Sequence, residues 1–163
     1  MNLLIVDDEY LVVEEVVTVT DWELLGITEI YSATNAVSAV RILNEKKIDI
    51  MICDIEMPQT DGLELSKKAK ENFPDLEIVM LTSHAEFNYV RNALRYGCYD
   101  YLLKPVMEDD IIKVMKNLVT KIERERHQAQ LQEEGIVWNQ LKPVWKEKYW
   151  EEMLRGLRDD PNR

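Results

Sequence analysis

The chain has 163 residues, 46% of them hydrophobic, with only five Gly and five Pro. That is enough for one packed domain plus some extra length, with little material for long linkers; no apolar run is long enough to span a bilayer, and no signal peptide is expected ahead of Asp7, Asp8 and Glu9. The net charge of −11 is uneven: residues 1–118 hold 22 acids and 11 Lys/Arg while residues 119–163 hold nine of each, so the first segment is poorly suited to gripping phosphate backbones.

In chain order, Leu3-Leu4-Ile5-Val6 is a short apolar run that terminates in Asp7-Asp8-Glu9. Leu11, Val12, Glu15 and Val16 then carry the spacing of a first helix laid on a sheet. Residues 28–33 read as a second strand, less apolar, as an edge strand would be. Thr34 is the expected N-cap of a helix bearing Ala36, Val37, Val40, Ile42 and Leu43. Ile50 to Cys53 is an unbroken apolar run, the signature of a strand buried on both faces, and it ends in Asp54. A loop marked by Pro58 and Gly62 leads to a helix over residues 63–73, stopped by Pro74. Ile78-Val79-Met80-Leu81 is another buried strand, ending in Thr82-Ser83, followed by a helix over residues 86–95 that Gly97 stops. Residues 99–103 form a last strand ending in Lys104-Pro105, and a helix opens near Glu108. Cys53 and Cys98 have neither metal nor redox spacing and read as reduced core residues.

Five strands alternating with five helices call for an α/β fold: a doubly wound, five-stranded parallel sheet with helices on both faces. A reversal of strand order opens a crevice at the carboxyl edge, where such sheets bind ligands. Four strand ends deliver Asp7/Asp8, Asp54, Thr82 and Lys104 to that edge. Taken singly, these residues are turn-formers, caps and a solvated lysine; their arrival together is the informative feature. Three carboxylates in one crevice repel one another and require a cation, and oxygen-only ligands favour Mg²⁺. Lys104 offers a point charge for a phosphoryl group and Thr82 a hydroxyl donor. Asp54 is best placed as a nucleophile forming an aspartyl phosphate, a reaction that needs positioning and charge neutralisation above all.

These motifs resemble the receiver domain of two-component response regulators, a flavodoxin-like (βα)5 fold, over residues 1–125. The matching stretches are Ile5-Val6-Asp7-Asp8-Glu9, Cys53-Asp54-Ile55-Glu56-Met57-Pro58, Asp61-Gly62, Leu81-Thr82-Ser83 and Tyr101-Leu102-Leu103-Lys104-Pro105. The resemblance implies that Asp54 accepts a phosphoryl group from a sensor histidine kinase. It implies that Asp8, Asp54 and the Glu56 backbone carbonyl hold Mg²⁺, with Asp7 acting through water. Thr82 and Tyr101 would be the switch residues, and Ser83 is small enough to leave the phosphoryl path open. Lys104 would pair with the acyl phosphate, and the Lys104–Pro105 bond would be cis. The protein would then be no enzyme beyond its own phosphorylation and dephosphorylation, and would dimerise when phosphorylated. Thr60 departs from the family's more usual apolar residue in this loop.

Residues 126–163 read as a helical linker or the start of a further region. The seam Ile111, Met115, Leu118 and Ile122 runs along the last helix, a polar stretch over residues 124–134 continues it, and Gly135 is the expected stop. Beyond it, Trp138, Leu141, Trp145, Tyr149, Trp150, Met153, Leu154 and Leu157 form a second amphipathic stretch, either folded back or offered to a partner. A receiver with such a tail is similar to the amino-terminal part of AraC-family response regulators, which implies transcriptional output through a DNA-binding domain absent from this chain. Two other readings stay open: a free-standing receiver acting through protein contacts, and a Mg²⁺-dependent phosphatase with an Asp nucleophile. The second resembles Asp-x-Asp enzymes, whereas the position two after Asp54 is Glu56.

Overall fold

A computed structural model describes the backbone of residues 1–84 and 87–158 and the side chains of residues 1–84 and 91–137. The apolar runs become β1 (Asn2–Val6), β2 (Glu29–Ala33), β3 (Ile50–Asp54), β4 (Glu77–Thr82) and β5 (Asp100–Leu103). They pair in parallel in the order β2-β1-β3-β4-β5, the expected doubly wound, flavodoxin-like arrangement. Every residue of β3 and β4 is buried, as their lack of polar alternation requires. β2 lies at an edge, and its Glu29 and Ser32 are exposed.

Successive strand side chains point to opposite faces. Leu4, Val6, Met51, Cys53, Ile78 and Met80 join one core with residues of α2 (Ala36–Glu45), α3 (Gly62–Asn72) and α4 (Phe87–Arg95). On the other face α1 (Tyr10–Thr18) packs on β1, and α5 (Glu108–Arg158) buries Ile111, Met115 and Leu118. Each such Leu or Ile contributes about 1.5–3 kcal/mol of burial. Trp22 closes the end of α1, its buried indole N–H donating to the carbonyls of Val16 and Val17. Both cysteines are free and buried, and burial pushes the Cys98 thiol up to about 11 and the Cys53 thiol higher still.

Several sequence expectations shift. α1 buries Val13 and Val16, while Leu11 is exposed. α2 buries Ala39 and Leu43 and leaves Val37 and Val40 outward, because the methyl of Ala39 allows the helix close to the sheet. The N-cap of α2 is Asn35, not Thr34: its side-chain oxygen accepts from the Ser38 N–H at 2.8 Å. Gly135 does not stop α5, which continues through it and through Pro143. A glycine costs about 1 kcal/mol inside a helix but ends one only when the chain turns left-handed there, and the positive-φ glycines are Gly26 and Gly97.

The chain divides into two compact units, Met1–Thr120 and Lys121–Arg163. Within the second, residues 123–137 are exposed, Lys121 pairs with Glu125 at 3.6 Å, and Gln130 bonds Glu134 at 3.2 Å. The expected amphipathic face from Trp138 to Leu157 has its backbone in α5, and its side chains lie outside the described residues. Among the described residues, no helix is long and apolar enough to cross a membrane.

The cap correction has a measurable consequence. Asn35→Ala should lower unfolding stability by about 1 kcal/mol, whereas Thr34→Ala should stay within about 0.5 kcal/mol. Urea unfolding of both variants checks this; equal losses would return the cap to Thr34.

Candidate functional site

The strand order reverses between β1 and its two neighbours, and the chain deposits its acids at that point. Asp7 and Asp8 follow β1, and Asp54 closes β3. Thr82 closes β4 and pairs in register with Leu103, one residue before Lys104; the Lys104 N–H donates to the Thr82 carbonyl at 2.9 Å. Adjacent strands thus fix the backbone of all four positions through ladder bonds, before any side chain contributes.

Asp7 is 0% and Asp54 3% exposed, while Asp8 is open to solvent. A carboxylate oxygen from each of the three lies within 4.8 Å of the others. The Lys104 ammonium stands 2.6 Å from Asp7 Oδ2 and 3.2 Å from Asp54 Oδ2, one cation against two buried anions. Backbone donors hold the other oxygens: the Glu9 N–H reaches Asp7 Oδ1 at 2.9 Å, and the Glu56 N–H reaches Asp54 Oδ1 at 3.3 Å. The Lys104 ammonium is what faces the remaining buried oxygen, Asp7 Oδ2.

Electrostatics follow from this crowding. Burial is the main cause that pushes the Asp54 carboxyl up to about 6; Lys104 pulls it down, and the neighbouring Asp7 charge raises it again. Burial alone would lower the Lys104 ammonium, but Asp7 and Asp54 outweigh it and the lysine is held above its usual range. A surplus of carboxylate over cation and an all-oxygen donor set together fit a hard divalent cation such as Mg²⁺.

The remaining predicted residues take distinct places. The Thr82 hydroxyl, 1% exposed, is committed to its own loop: it donates to the His84 carbonyl at 2.9 Å and accepts from the His84 N–H at 3.1 Å. Ser83 is exposed beside it. Tyr101 is half-buried against the core. Lys104–Pro105 is cis, and Pro105 is exposed. Glu56 is exposed, and its carboxylate turns to His84 Nε2 at 3.7 Å. Thr60 is half-buried.

One constraint exceeds what the sequence reading assigned to Gly62. A Cβ at Gly62 would sit 1.8 Å from the Asp54 carbonyl oxygen. The Gly62 N–H donates to the Ile55 carbonyl at 2.9 Å, which brings the start of α3 against the backbone of the candidate nucleophile. A glycine is a poor opening residue for a helix, and Asp61 already caps this one. Its placement there was the available signal of a close backbone approach.

The profile of the response regulator receiver domain matches residues 3–116. The uncharacterized transcriptional regulatory protein YesN of Bacillus subtilis (strain 168) is 34% identical over 124 residues, covering 76% of this chain and 34% of that protein. The response regulator SaeR of Staphylococcus aureus (strain USA300) is 32% identical over 127 residues, covering 78% of this chain and 54% of its own length. The chain therefore spans about a third to somewhat over half of these curated relatives. Among solved structures, the REC domain of AraT, a response regulator from Geobacillus stearothermophilus, superposes with a TM-score of 0.72 at 30% identity, covering 77% of this chain and 97% of that one.

The Asp54 shift predicts a pH dependence. The folded value stands above that of an unfolded aspartate, so the protonated form is favoured on folding, and stability falls as pH rises from about 4 through about 6. In metal-free buffer Asp54→Asn should therefore stabilise the protein more at pH 8 than at pH 5. Thermal unfolding at the two pH values checks this, and a benefit that shrank toward high pH would contradict it.

Proposed function

The chain belongs to the response regulator receiver domain family, and from that premise we propose that it accepts a phosphoryl group on Asp54 from a sensor histidine kinase. The observation that carries this reading is the Asp54 carboxylate itself. It is buried at a strand end, raised to about 6 by that burial, and still ionised at neutral pH beside Lys104. Such a carboxylate is more basic than an exposed one and already stripped of most of its water, both of which favour attack on phosphorus. Asp8, Asp54 and the Glu56 carbonyl would hold Mg²⁺, with Asp7 contributing through water. Bound there, the ion would supply charge neutralisation for the incoming phosphoryl oxygens.

The chain's own residues then divide the work. Lys104 holds the anionic carboxylates together and is positioned to pair with a third anion when the phosphoryl group arrives. Ser83 leaves the approach open. Phosphoryl oxygens attract the Thr82 hydroxyl away from His84, and the space it vacates admits the Tyr101 ring. A phosphoryl group can shift this balance only through contacts that differ between the two arrangements. The readout runs through α4, β5 and α5, where Arg91 and Arg95 are exposed on an otherwise acidic unit, and changes self-association.

Residues 1–125 would thus be the phosphoacceptor domain and residues 126–163 a linker toward an output. The relatives named as transcriptional regulators, each longer than the match, support a parent protein with transcriptional output, with DNA bound outside these residues; its AraC type and cytoplasmic location are carried by the motif resemblance. A phosphatase would require the acid two positions after Asp54 to work at the site; the Glu56 carboxylate instead turns to His84.

Acetyl phosphate with Mg²⁺ should place one base-labile phosphate on the protein, lost in Asp54→Asn and with chelator. Intact-mass measurement decides this: a phosphate retained by the Asn variant would remove Asp54 from the role. Beryllofluoride, a phosphate mimic, should shift the full chain toward dimer in sedimentation, and a dimer content indifferent to the mimic would overturn the switch.

A further inference from the structure

Ser66 has no part in the scheme above, yet it stands one helical turn after Gly62, on the same face of α3. Among the described residues, Asp7 and Ser66 are the polar side chains with no exposure at all. A serine inside a helix commonly bonds the carbonyl four residues earlier or turns to water. This one reaches across to the sheet instead. Its hydroxyl donates to Met80 Sδ on β4 at 3.2 Å and is a hydrogen-bond partner of the Cys53 thiol on β3. The Cys53 thiol in turn donates to the Asp54 carbonyl at 3.4 Å. That same carbonyl lies so close to Gly62 that a Cβ there would stand 1.8 Å from it. Two successive turns of α3 therefore bear on one strand end, Gly62 by direct contact and Ser66 through a sulfur.

We propose that Ser66 is a positioning residue for Asp54: its hydroxyl fixes the Asp54 backbone relative to α3 through the Cys53 thiol, and relative to β4 through Met80. The inference rests on Asp54 accepting the phosphoryl group. Met80 lies two residues before Thr82, so one buried hydroxyl spans the strand that ends in Asp54 and the strand that ends in Thr82. Packing alone leaves that hydroxyl unexplained, because an alanine would fill nearly the same space with no polar group to satisfy. Hydrogen bonds to sulfur are weak, so this chain of contacts adds little to stability. Its effect lies in placement. In the step concerned, an Asp54 carboxylate oxygen forms a bond to the donor phosphorus while the bond from phosphorus to the leaving oxygen breaks. With acetyl phosphate, acetate departs with the electron pair. Such a step is sensitive to where the nucleophile stands, a misplacement of about 1 Å costing on the order of a hundredfold.

The experiment compares the full chain with Ser66→Ala, Cys53→Ala and the double variant, and it has two readings. The first is the rate of Asp54 labelling by acetyl phosphate in saturating Mg²⁺, at one pH and well below every thermal midpoint. Ser66→Ala should slow labelling about two- to fivefold, the loss expected of a shift well below 1 Å. The same change should lower Tm by no more than about 3 °C. The double variant should be no slower than the slower single one, since a serine acting through the Cys53 thiol has nothing to act through once that thiol is gone. The second reading is the Cys53 S–H stretch in the infrared, identified by its loss in Cys53→Ala. It should shift in Ser66→Ala while the Cys98 band stays in place. An unchanged labelling rate in Ser66→Ala, losses that multiply in the double variant, or an unmoved Cys53 band would each overturn the assignment. Asp54→Asn runs alongside: label persisting there would defeat the phosphoacceptor reading and the Ser66 role with it, an outcome separable from the other three because it appears in that variant alone.

Discussion

The arrangement at the carboxyl edge depends on one imbalance: a single half-buried cation shared between two buried anions, with a third carboxylate at the rim. Removing water from a charge is costly unless a partner replaces it, and here the partner is half a complement short. Lys104 makes the burial of Asp7 and Asp54 tolerable without making it comfortable. The surplus of negative charge suits the site to further positive charge, while burial above all, with the Asp7 charge adding to it, keeps Asp54 more basic than an exposed aspartate. A fully compensated cluster would be a stable piece of core with nothing left to bind.

Such a cluster can be held only by a rigid frame. Asp54 closes a strand sealed on both sides and Asp7 follows β1 directly, while Lys104, after the edge strand β5, is tied to buried β4 by its N–H to the Thr82 carbonyl. Gly62 lets the beginning of α3 press against the Asp54 carbonyl, so Asp54 cannot retreat into the loop that follows it. On this frame rest the Thr82 hydroxyl, bonded twice to the His84 backbone, and the half-buried ring of Tyr101.

Much of this was legible in the sequence because strand burial and strand ends leave strong marks. Apolar runs without alternation located β1, β3 and β4, and the abrupt change to Asp7, Asp54 and Thr82 marked their carboxyl ends. Helix faces were less legible. Leu11 and Val37 fit an apolar stripe by spacing, yet the sheet selected Val13 and Ala39, since the distance between layers is set by tertiary contact and not by hydropathy. Thr34 and Asn35 are both good capping types one residue apart, and only the backbone's point of entry into the helix separates them. Gly135 looked like a terminus because glycine usually marks one, but nothing there bends the backbone into the left-handed region. The meeting of Glu56 with His84 joins residues almost thirty positions apart and rests on register between β3 and β4, which no local pattern encodes.

The sheet has two open margins, β2 and β5, and every open margin is a template on which another chain can polymerise. Both are short here, five and four residues, so a stray strand would gain few backbone bonds. Each also begins with an acid, Glu29 or Asp100, and the Lys46 ammonium lies over the Tyr31 ring 5.9 Å away on the β2 side. Two copies pairing in parallel, margin to margin, would set like charges against each other at the first rung. Short length and an acid at the start of each margin are the devices by which a sheet edge discourages such pairing, so the acidity of this segment bears on how its edges meet other chains.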